Sequence, residues 1–578
     1  MGKNDNKWGC FRFAWSIAPD SFIEMLLWGG VYCAATVVSV WATKQLLSLV
    51  VAGYSKKMFL TLLLYAVLVV ISTSYSVFYK RYRVQFKVIL DFEHKVKSLL
   101  FRKIKQISNE SFESASADRT IKLADRAKQN LFRYVEIWIS IGMALLQAIV
   151  VTLYVSHFNL WFLLLLPFST LPPLMSLLYQ GSLWKKYYQA IEQCMREEAE
   201  YVKAMIDETA CKESRITYAI AMLMEKWSAS RSHRDNMEKR KSQKIFLLKL
   251  ALMPLEILGN HGGYFVSLIL LYCGDIDYAS CTAAIVAYVS LSSAFSSLVS
   301  MIGNESQYYK MVQPFFSFWA LQERDGVESF SKLNNEIKLD HVSFSYPNQE
   351  RKALDDISLT IKKGEILAIV GKNGSGKTTL SNVIMGLFLP TAGKVLYDGK
   401  DIAKISEEQI HQEQSMVSQS FVRYKMTVKD NIAIGNFEKK DDEEIEERKL
   451  AYLSDSSIPL EMMLGKEFGG KDLSGGQWQQ VACARAFYRG GDFYALDEAT
   501  AAIDPLKEEA MYSSFRKELN GKTGIIITHR LGAVSMADRI IVLDGGRIVQ
   551  EGTHLELISM EGPYLHLWNT QTKAFREQ

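Results

Sequence analysis

The stretch EILAIVGKNGSGKT at residues 365–378 decides the architecture of the C-terminal half of the chain. Residues 365–370 read as a buried strand and residues 379–387 as a helix, which is the context that a phosphate-binding loop requires. The glycines let backbone N–H groups approach phosphate oxygens, Lys377 supplies a point charge, and the Thr378 hydroxyl can ligate Mg²⁺. The expected nucleotide contacts are Gly371, Asn373, Gly374, Ser375, Gly376, Lys377, Thr378 and Thr379.

A second apolar run, FYAL at residues 493–496, ends in the acidic pair Asp497 and Glu498. Beside a phosphate-binding loop, such a pair puts one carboxylate near the metal and the other near the water that attacks the γ-phosphate. We therefore assign Asp497 to Mg²⁺ and Glu498 to catalysis.

The pentapeptide LSGGQ lies between these two motifs, at residues 473–477, and precedes an apparent helix over 478–488. A serine hydroxyl, flexible glycine amides and a helix N-terminus together suit an anion, and a plain helix-capping loop is the alternative. The expected nucleotide contacts in this segment are Ser474, Gly475, Gly476 and Gln477.

The size and composition of the chain predict two large domains, because 578 residues are too many for one ordinary core. The net charge of +4 is too small for this size to indicate a nucleic-acid partner. The seven cysteines lack CxxC or metal-ligand spacing, so neither a disulfide framework nor a zinc site is expected. The expected parts are an interfacial helix (1–20), a six-helix membrane domain (21–325), a linker (326–336) and an α/β nucleotide-binding ATPase domain (337–578).

The first half contains six apolar segments long enough to cross about 30 Å of hydrocarbon as helices. They are residues 22–41, 58–77, 137–155, 160–178, 245–273 and 281–301. Two long connections, 80–133 and 181–244, hold most of the basic residues of this half, so the positive-inside rule places them in the cytoplasm. Their helical composition predicts stalks, whose tips near 108–119 and 207–215 either touch a soluble motor or are solvated turns.

The N-terminal segment has aromatic residues at helical spacing. Trp8, Phe11 and Trp15 fall at i, i+3 and i+7, with Lys7 and Arg12 between them. This pattern suits a short helix lying on membrane lipid, and a frayed tail is the alternative.

The fourth and fifth apolar segments contain prolines and glycines, so both are expected to kink or to pack closely. Glu256 and His261 lie in the fifth segment, where an ionisable group faces protein or a water-filled cavity. Tyr288 and several serines lie in the sixth. We take Glu256, His261 and Tyr288 as candidates for a substrate path, with structural polar contacts or close packing as the alternative.

With these motifs in this order, the chain resembles the ATP-binding cassette (ABC) family, and specifically exporters whose half-chain fuses six spanning helices to one ATPase cassette. Tyr346 in FSYP is similar to the aromatic residue that stacks on adenine, and Gln419 in VSQS to the glutamine that senses Mg²⁺. His529 in ITHR resembles the switch histidine at the γ-phosphate, and Asp504 in AAID resembles the loop that crosses the dimer interface. Taken singly, each also reads as an ordinary core or surface residue.

The resemblance implies ATP and Mg²⁺ as cofactors and a second half-transporter, identical or homologous, as partner. LSGGQ would complete the ATP site of the opposite cassette, and the stalk tips would transmit closure of the two cassettes to the membrane helices. Glu498, His529 and LSGGQ are intact, which implies that both sites of a homodimer hydrolyse ATP. AAID in place of the commoner SALD, and Phe468 where a glutamate is usual, put communication with the membrane domain in doubt.

The segment LGKEFGGKD at 464–472, with Trp478 and Gln479 after it, is similar to bacterial exporters of lantibiotics and related modified peptides. This similarity implies a peptide cargo, exported across a bacterial plasma membrane with the ATPase domain in the cytoplasm. A multidrug or lipid exporter is the alternative, and an ATP-gated channel or membrane sensor is the alternative from another class. An acidic Glu256 on the path would favour a cationic cargo.

Overall fold

A computed structural model describes residues 7–576, apart from 53–55, 75–82, 84–87, 114, 157, 322, 325, 348, 350, 440, 454–456, 502 and 529. The chain divides into two compact units. The first comprises Met1–Arg102 and Thr120–Ala320, and the second comprises Lys103–Arg119 and Leu321–Gln578. The tip of the first stalk therefore belongs to the same unit as the C-terminal α/β domain.

The chain before residue 320 is helical wherever it forms regular elements. Its helices are α1 (Lys7–Ile17), α2 (Pro19–Ala52), α3 (Lys56–Ser74), α4 (Ile89–Gln106), α5 (Asn109–Phe112), α6 (Ala115–Ser156), α7 (Trp161–Leu164), α8 (Leu166–Ile206), α9 (Glu208–Ile216), α10 (Ala219–Cys273) and α11 (Tyr278–Trp319).

Within the described ranges, five stretches are long and apolar enough to cross a membrane. They are Pro19–Val50, Thr120–Ser156, Trp161–Ile206, Ala219–Cys273 and Tyr278–Trp319. The expected second span, 58–77, begins within α3, but its last three residues lie outside the described part of the chain. The count of six spans therefore stays a prediction.

The prolines of α8 and α10 do not all interrupt the helix. The helical path is interrupted at Leu165, just before Pro167, whereas α8 continues through Pro172 and α10 continues through Pro254. Proline is tolerated in the first turn of a helix because its missing N–H has no intrahelical partner there. The break therefore falls at Leu165, and Pro167 lies in the first turn of the helix that follows.

Close packing of the glycines in α10 is clear. A methyl group on Gly259 would lie 2.1 Å from the backbone nitrogen of Ser169 in α8, and one on Gly263 would lie 2.1 Å from the ring of Tyr288 in α11. Tyr288 is 1% exposed, and its hydroxyl donates to the carbonyl oxygen of Gly259. These glycines thus let three helices approach each other directly.

The N-terminal helix α1 packs on its own unit through aromatic contacts. Phe13 is buried against Phe315, with ring centroids 5.6 Å apart. Trp8 lies 5.7 Å from Trp138, and Phe11 continues the row. Trp8 remains 64% exposed, so α1 presents an aromatic side chain outward, and its contact with membrane lipid stays a prediction.

The second unit contains two sheets. Their strands are β1 (Glu336–Phe344), β2 (Leu354–Lys362), β3 (Ile366–Gly371), β4 (Ala392–Tyr397), β5 (Lys400–Asp401), β6 (Gln414–Val417), β7 (Phe493–Asp497), β8 (Thr523–Ile527), β9 (Arg539–Asp544) and β10 (Arg547–Gly552). One sheet is antiparallel, in the order β2-β1-β4-β5. The other has the order β10-β9-β3-β8-β7-β6, and only the β10–β9 pairing in it is antiparallel.

Helices cover these sheets and fill the connections between strands. They are α12 (Lys377–Ile384), α13 (Glu407–Gln412), α14 (Val428–Ala433), α15 (Asp442–Tyr452), α16 (Gly475–Arg489), α17 (Pro505–Leu519), α18 (Leu531–Val534), α19 (His554–Ser559) and α20 (Pro563–Arg576). Every residue of β3, β7 and β8 is buried, which explains why these strands read as continuous apolar runs.

The parallel arrangement determines where the polar motifs meet. β8 pairs with β3 on one side and with β7 on the other, so the carboxyl ends of all three strands share one edge. The glycine-rich loop follows β3, and the acidic pair begins at the end of β7. Ligands of open α/β sheets bind at this edge, which makes it the candidate site.

Candidate nucleotide site

The phosphate-binding loop has a backbone that only glycine adopts comfortably at its turns. Gly376 has φ of 104°, and a methyl group on it would lie 2.7 Å from the carbonyl oxygen of Ala353. The Ser375 hydroxyl is buried without a hydrogen-bond partner among the described residues. Since buried hydroxyls are normally paired, Ser375 is consistent with a loop shaped for a polar ligand.

Lys377 begins α12 and is folded back over the loop. Its ammonium donates to the carbonyl oxygens of Gly371, at 3.0 Å, and Lys372, at 2.9 Å. Burial lowers the pKa of Lys377, while the charges of Glu498 and Asp497 act in the opposite direction. The lysine therefore stands between the loop and the acidic pair.

Asp497 ends β7 with a side chain that fits a metal ligand. The residue is 1% exposed, its carboxylate accepts from the Thr378 hydroxyl, and its Oδ2 atom has no partner among the described residues. Burial raises the pKa of Asp497. An unpaired carboxylate oxygen beside a threonine hydroxyl is the protein contribution that Mg²⁺ uses with nucleotide phosphates.

Glu498 has its backbone in the left-handed region, with φ of 48°, and its amide donates to the carbonyl oxygen of Ile527 in β8 at 2.9 Å. Its carboxylate accepts from Nε2 of Gln419 at 3.0 Å. The structure thus brings Gln419, which was identified only by resemblance, into contact with the proposed catalytic carboxylate. Such backbone strain is typical of functional sites.

The backbone of Glu498 is held by a contact with Gln479 that could not be predicted from the sequence. Gln479 in α16 is 3% exposed, and its Nε2 donates to the carbonyl oxygen of Glu498 at 2.9 Å. Gln479 was noted only for its similarity to peptide exporters. Its position two residues after LSGGQ gave no signal of which backbone group it would meet.

Taken with the loop, these groups fit Mg²⁺ and a nucleotide. No cluster of three or more His, Cys, Asp or Glu side chains suited to a metal occurs in the part of the chain that the structure describes. Mg²⁺ does not require one, because one carboxylate, neutral oxygens, water and phosphate complete its shell. Thr378, Asp497 and Gln419 would hold the ion, which would neutralise charge on the phosphates.

The structure does not settle the roles of the three remaining candidates, which are Tyr346, Asp504 and His529. The hydroxyl of Tyr346 hydrogen-bonds with that of Thr379 at 2.9 Å, and its ring meets Phe344 and Phe388 edge-on. Asp504 is exposed, and His529 lies outside the described residues. Adenine stacking, a dimer contact and a γ-phosphate contact therefore stay predictions for these three residues.

In LSGGQ, the structure shows the helix cap, and nucleotide contact by Ser474, Gly475, Gly476 and Gln477 stays a prediction. Ser474 caps α16: its hydroxyl accepts from the amide of Gln477 at 3.2 Å, and the side chain of Gln477 accepts from the amide of Ser474 at 2.9 Å. Ser474 and Gly475 are exposed, and Gly476 follows at the helix start. The cap therefore presents an open helix N-terminus.

The three proposed substrate-path residues have different environments. Glu256 is half-buried, and His261 is exposed and stacks on Tyr264 with ring centroids 5.8 Å apart. Tyr288 is the buried packing residue described above, so in this chain its side chain makes the close-packing contact that was the alternative. A path role for Glu256 and His261 stays a prediction.

The tip helix α5 contacts the α/β domain within the second unit. Asn109 Nδ2 donates to Glu407 Oε1 at 2.8 Å, and the carboxylate of Glu110 accepts from the amide of Leu389. Glu407 also lies 3.9 Å from the buried guanidinium of Arg324, which donates to the carbonyl oxygen of Ile402 at 3.0 Å. Of the two readings of this tip, contact with the motor is confirmed. Contact by the second tip, α9, stays a prediction.

Comparison with known proteins agrees with this geometry. Residues 354–501 match the family model described as ABC transporter. The chain also superposes on a bacterial Atm1-family ABC exporter with ATP bound, with a TM-score of 0.76 over 95% of this chain and 97% of that chain. At 20% identity, this likeness establishes the fold. The chain therefore carries an ABC transporter domain and has the fold of ABC exporters, as the resemblance implied.

Curated relatives are similar over part of the chain. An ATP-dependent lipid A-core flippase of Ralstonia nicotianae is 37% identical over 259 residues, 43% of each chain. The subtilin transport ATP-binding protein SpaT of Bacillus subtilis is 34% identical over 309 residues, 48% of this chain and 50% of that protein. A putative multidrug export ATP-binding/permease protein of Staphylococcus aureus is 37% identical over 248 residues. The chain spans about half the length of the curated relatives it matches.

The Asp497 carboxylate gives a prediction in which stability and ligand response move in opposite directions. We expect Asp497→Asn to raise the unfolding temperature of the nucleotide-free chain at pH 8, because the amide removes a buried charge. We expect the same change to abolish the stabilisation by Mg²⁺ and ATP, since it removes the metal ligand. Thermal unfolding in detergent, with and without Mg²⁺ and ATP, measures both effects.

The pH dependence follows from the raised pKa of Asp497. A group whose folded-state pKa is raised favours the folded state at low pH, and this contribution is lost as pH rises through the folded pKa. The advantage of the variant should therefore shrink as pH is lowered. An advantage that grows on acidification would contradict the assignment.

Proposed function

We propose that this chain hydrolyses ATP to export a substrate across the plasma membrane, by alternating access, as a dimer. The arrangement of Lys377, Asp497, Glu498 and Gln419 at one sheet edge carries the proposal. In phosphoryl transfer, the protein's work is to hold the phosphates and metal and to orient the attacking water. Glu498 would accept the proton from that water, and Gln419 would hold the carboxylate in place.

We infer dimerisation from the exposed LSGGQ cap. An open helix N-terminus with Ser474 and Gly475 exposed suits the phosphates of an ATP bound to a second chain. The partner would be an identical or a homologous half-transporter. Closure of two domains around ATP would pull on α5 and shift the membrane helices between two packings.

The long basic connections of the first half support a cytoplasmic ATPase domain, by the positive-inside rule. We infer a multi-pass protein of a bacterial plasma membrane. We infer the direction of transport from the exporter fold and from the similar proteins, which are named as a flippase, a subtilin transport protein and a putative multidrug exporter.

For the cargo, we propose a modified peptide, with a lipid or multidrug substrate as the second candidate. The peptide proposal rests on LGKEFGGKD, Trp478 and Gln479 and on the likeness to the subtilin transport protein. These residues lie in the motor, where Trp478 Nε1 donates to Asp472 Oδ1 at 2.9 Å, and not in the membrane helices. The likeness to the lipid A-core flippase supports the second candidate.

Transport into inside-out vesicles containing only this chain tests the function. The panel contains small modified peptides, labelled lipids and lipophilic cationic dyes, and Glu498→Gln is measured beside the wild type. Accumulation of peptide that requires Glu498 supports a homodimeric peptide exporter, whereas accumulation of lipid or dye alone favours the second candidate. ATP hydrolysis without accumulation of any panel member contradicts export by this chain alone and favours a partner chain, a channel or a sensor.

A further inference from the structure

A cavity of about 570 Å³ lies between α8 and α11, near where the fourth and sixth expected spans end. We call it the α8–α11 pocket. It is lined by residues between Leu174 and Lys185 of α8, by residues between Ile302 and Lys310 of α11, and by Lys7 of α1. Its volume is within the range of small-molecule sites, which is roughly 300–1,000 Å³.

One wall of the α8–α11 pocket is apolar and includes Leu174, Leu177 and Leu178. Its floor is set by Gly303, because a methyl group there would lie 1.9 Å from Cδ1 of Leu177. The indole of Trp184 forms another side of the pocket and stacks on the Tyr188 ring, with ring centroids 4.2 Å apart. Such a wall favours an acyl chain or another flexible apolar group.

The charges of the pocket are unbalanced. Among the described residues that line the pocket, Glu305 is the only one with a carboxylate, and it is 5% exposed. It is already paired with Lys7 at 2.6 Å and accepts a hydrogen bond from the Tyr134 hydroxyl at 3.2 Å. Lys185 and Lys310 remain, and Lys310 Nζ lies 4.6 Å from the centre of the Trp184 ring. Two ammonium groups beside an apolar wall thus have no matching lining carboxylate among the described residues.

We propose that the α8–α11 pocket binds an amphiphile with an anionic head group, a carboxylate or a phosphate. Lys185 and Lys310 hold the head group, and the leucine wall and Trp184 hold the tail. This ligand is opposite in charge to the cargo that Glu256 alone would favour. Its identification as cargo rests on the proposed export function, but its binding does not.

The structure supplies a matched pair of glycine variants for the test. A Cβ added to Gly181, which lines the pocket, meets no atom within 4 Å, so Gly181→Leu adds a side chain at the pocket without a clash at Cβ. A Cβ added to Gly30 in α2, away from the pocket, likewise meets no atom within 4 Å. Gly30→Leu is therefore the control for leucine in place of helical glycine.

Binding is measured without ATP, in nanodiscs of zwitterionic phosphatidylcholine, with 11-(dansylamino)undecanoic acid as probe and its ammonium and phosphate analogues for comparison. We expect saturable binding of the carboxylate or the phosphate probe, and the tighter of the two identifies the head group. Gly181→Leu should weaken binding about tenfold or more because its side chain competes with the ligand for the pocket. The pair Lys185→Gln with Lys310→Gln should weaken binding by at least as much, because it removes both charge-assisted contacts to the head group. Gly30→Leu should bind as the wild type does.

Equal binding by Gly181→Leu and Gly30→Leu, or equal binding of the ammonium analogue, overturns the proposal. The vesicle experiment separates this result from the proposed function. If the wild type does not bind the probe but accumulates another cargo, the pocket assignment is overturned and the export function is retained. Probe binding without ATP-dependent accumulation of any compound supports the pocket and refutes export by this chain alone.

Discussion

Glu498→Gln is expected to reduce steady-state ATP hydrolysis by about 10²–10⁴-fold while leaving ATP binding within a factor of about two, which is the range for removing a positioned general base. The amide has the size of the carboxylate and keeps a hydrogen-bonding contact with Gln419, so the geometry should persist. It does not accept a proton from water. Phosphate release and binding of a fluorescent ATP analogue, measured on the full chain in nanodiscs, give the two quantities.

A matched control separates this effect from a general loss of acidic charge. Glu561 is exposed and distant in sequence from every motif of the site, so Glu561→Gln should hydrolyse ATP at the wild-type rate. A second control is Gln419→Ala, which should give a smaller loss than Glu498→Gln because it removes the partner and keeps the base. Hydrolysis by Glu498→Gln within tenfold of the wild type would exclude Glu498 as the general base.

The phosphate loop and the acidic pair could be predicted from the sequence because each follows an apolar run that reads as a buried strand. Strand order was not needed in detail, since parallel strands of one sheet end at the same edge. The fold class is confirmed by the likeness to the bacterial exporter over nearly the whole chain. Local patterns therefore sufficed where a motif and its strand are adjacent in sequence.

Contacts between distant segments could not be predicted in this way. The pairing of Gly263 with Tyr288 depends on which helices meet, and a glycine in a helix gives no sign of its partner. The effect of each proline depends on its position in the helix: Pro167 lies in the first turn of α8, whereas Pro172 lies in its interior and the helix continues through it. The bond from Gln479 to the carbonyl oxygen of Glu498 likewise requires the folded register of α16 against β7.

The contact of α5 with the α/β domain leads to the second large effect. We expect the double variant Asn109→Ala and Glu110→Ala to keep basal ATP hydrolysis while ATP-dependent accumulation of the cargo falls at least tenfold. The double variant loses the hydrogen bond from Asn109 to Glu407 and the one from Leu389 to Glu110. Both bonds have a carboxylate as acceptor and contribute roughly 1.5–3 kcal/mol each, so their loss is enough to release the tip most of the time.

The same contact contains its own control. Lys105 and Glu408 are 3.3 Å apart, but their side chains are 71% and 64% exposed. Exposed pairs contribute about 0–1 kcal/mol, so Lys105→Ala should leave accumulation within a factor of about two. Hydrolysis and accumulation are measured on the same vesicles for all three proteins. If the double variant loses hydrolysis and accumulation together, α5 supports the fold of the domain. If accumulation is unchanged, this tip does not transmit closure. Transmission by the α5 contact requires that the double variant hydrolyses ATP without accumulating cargo.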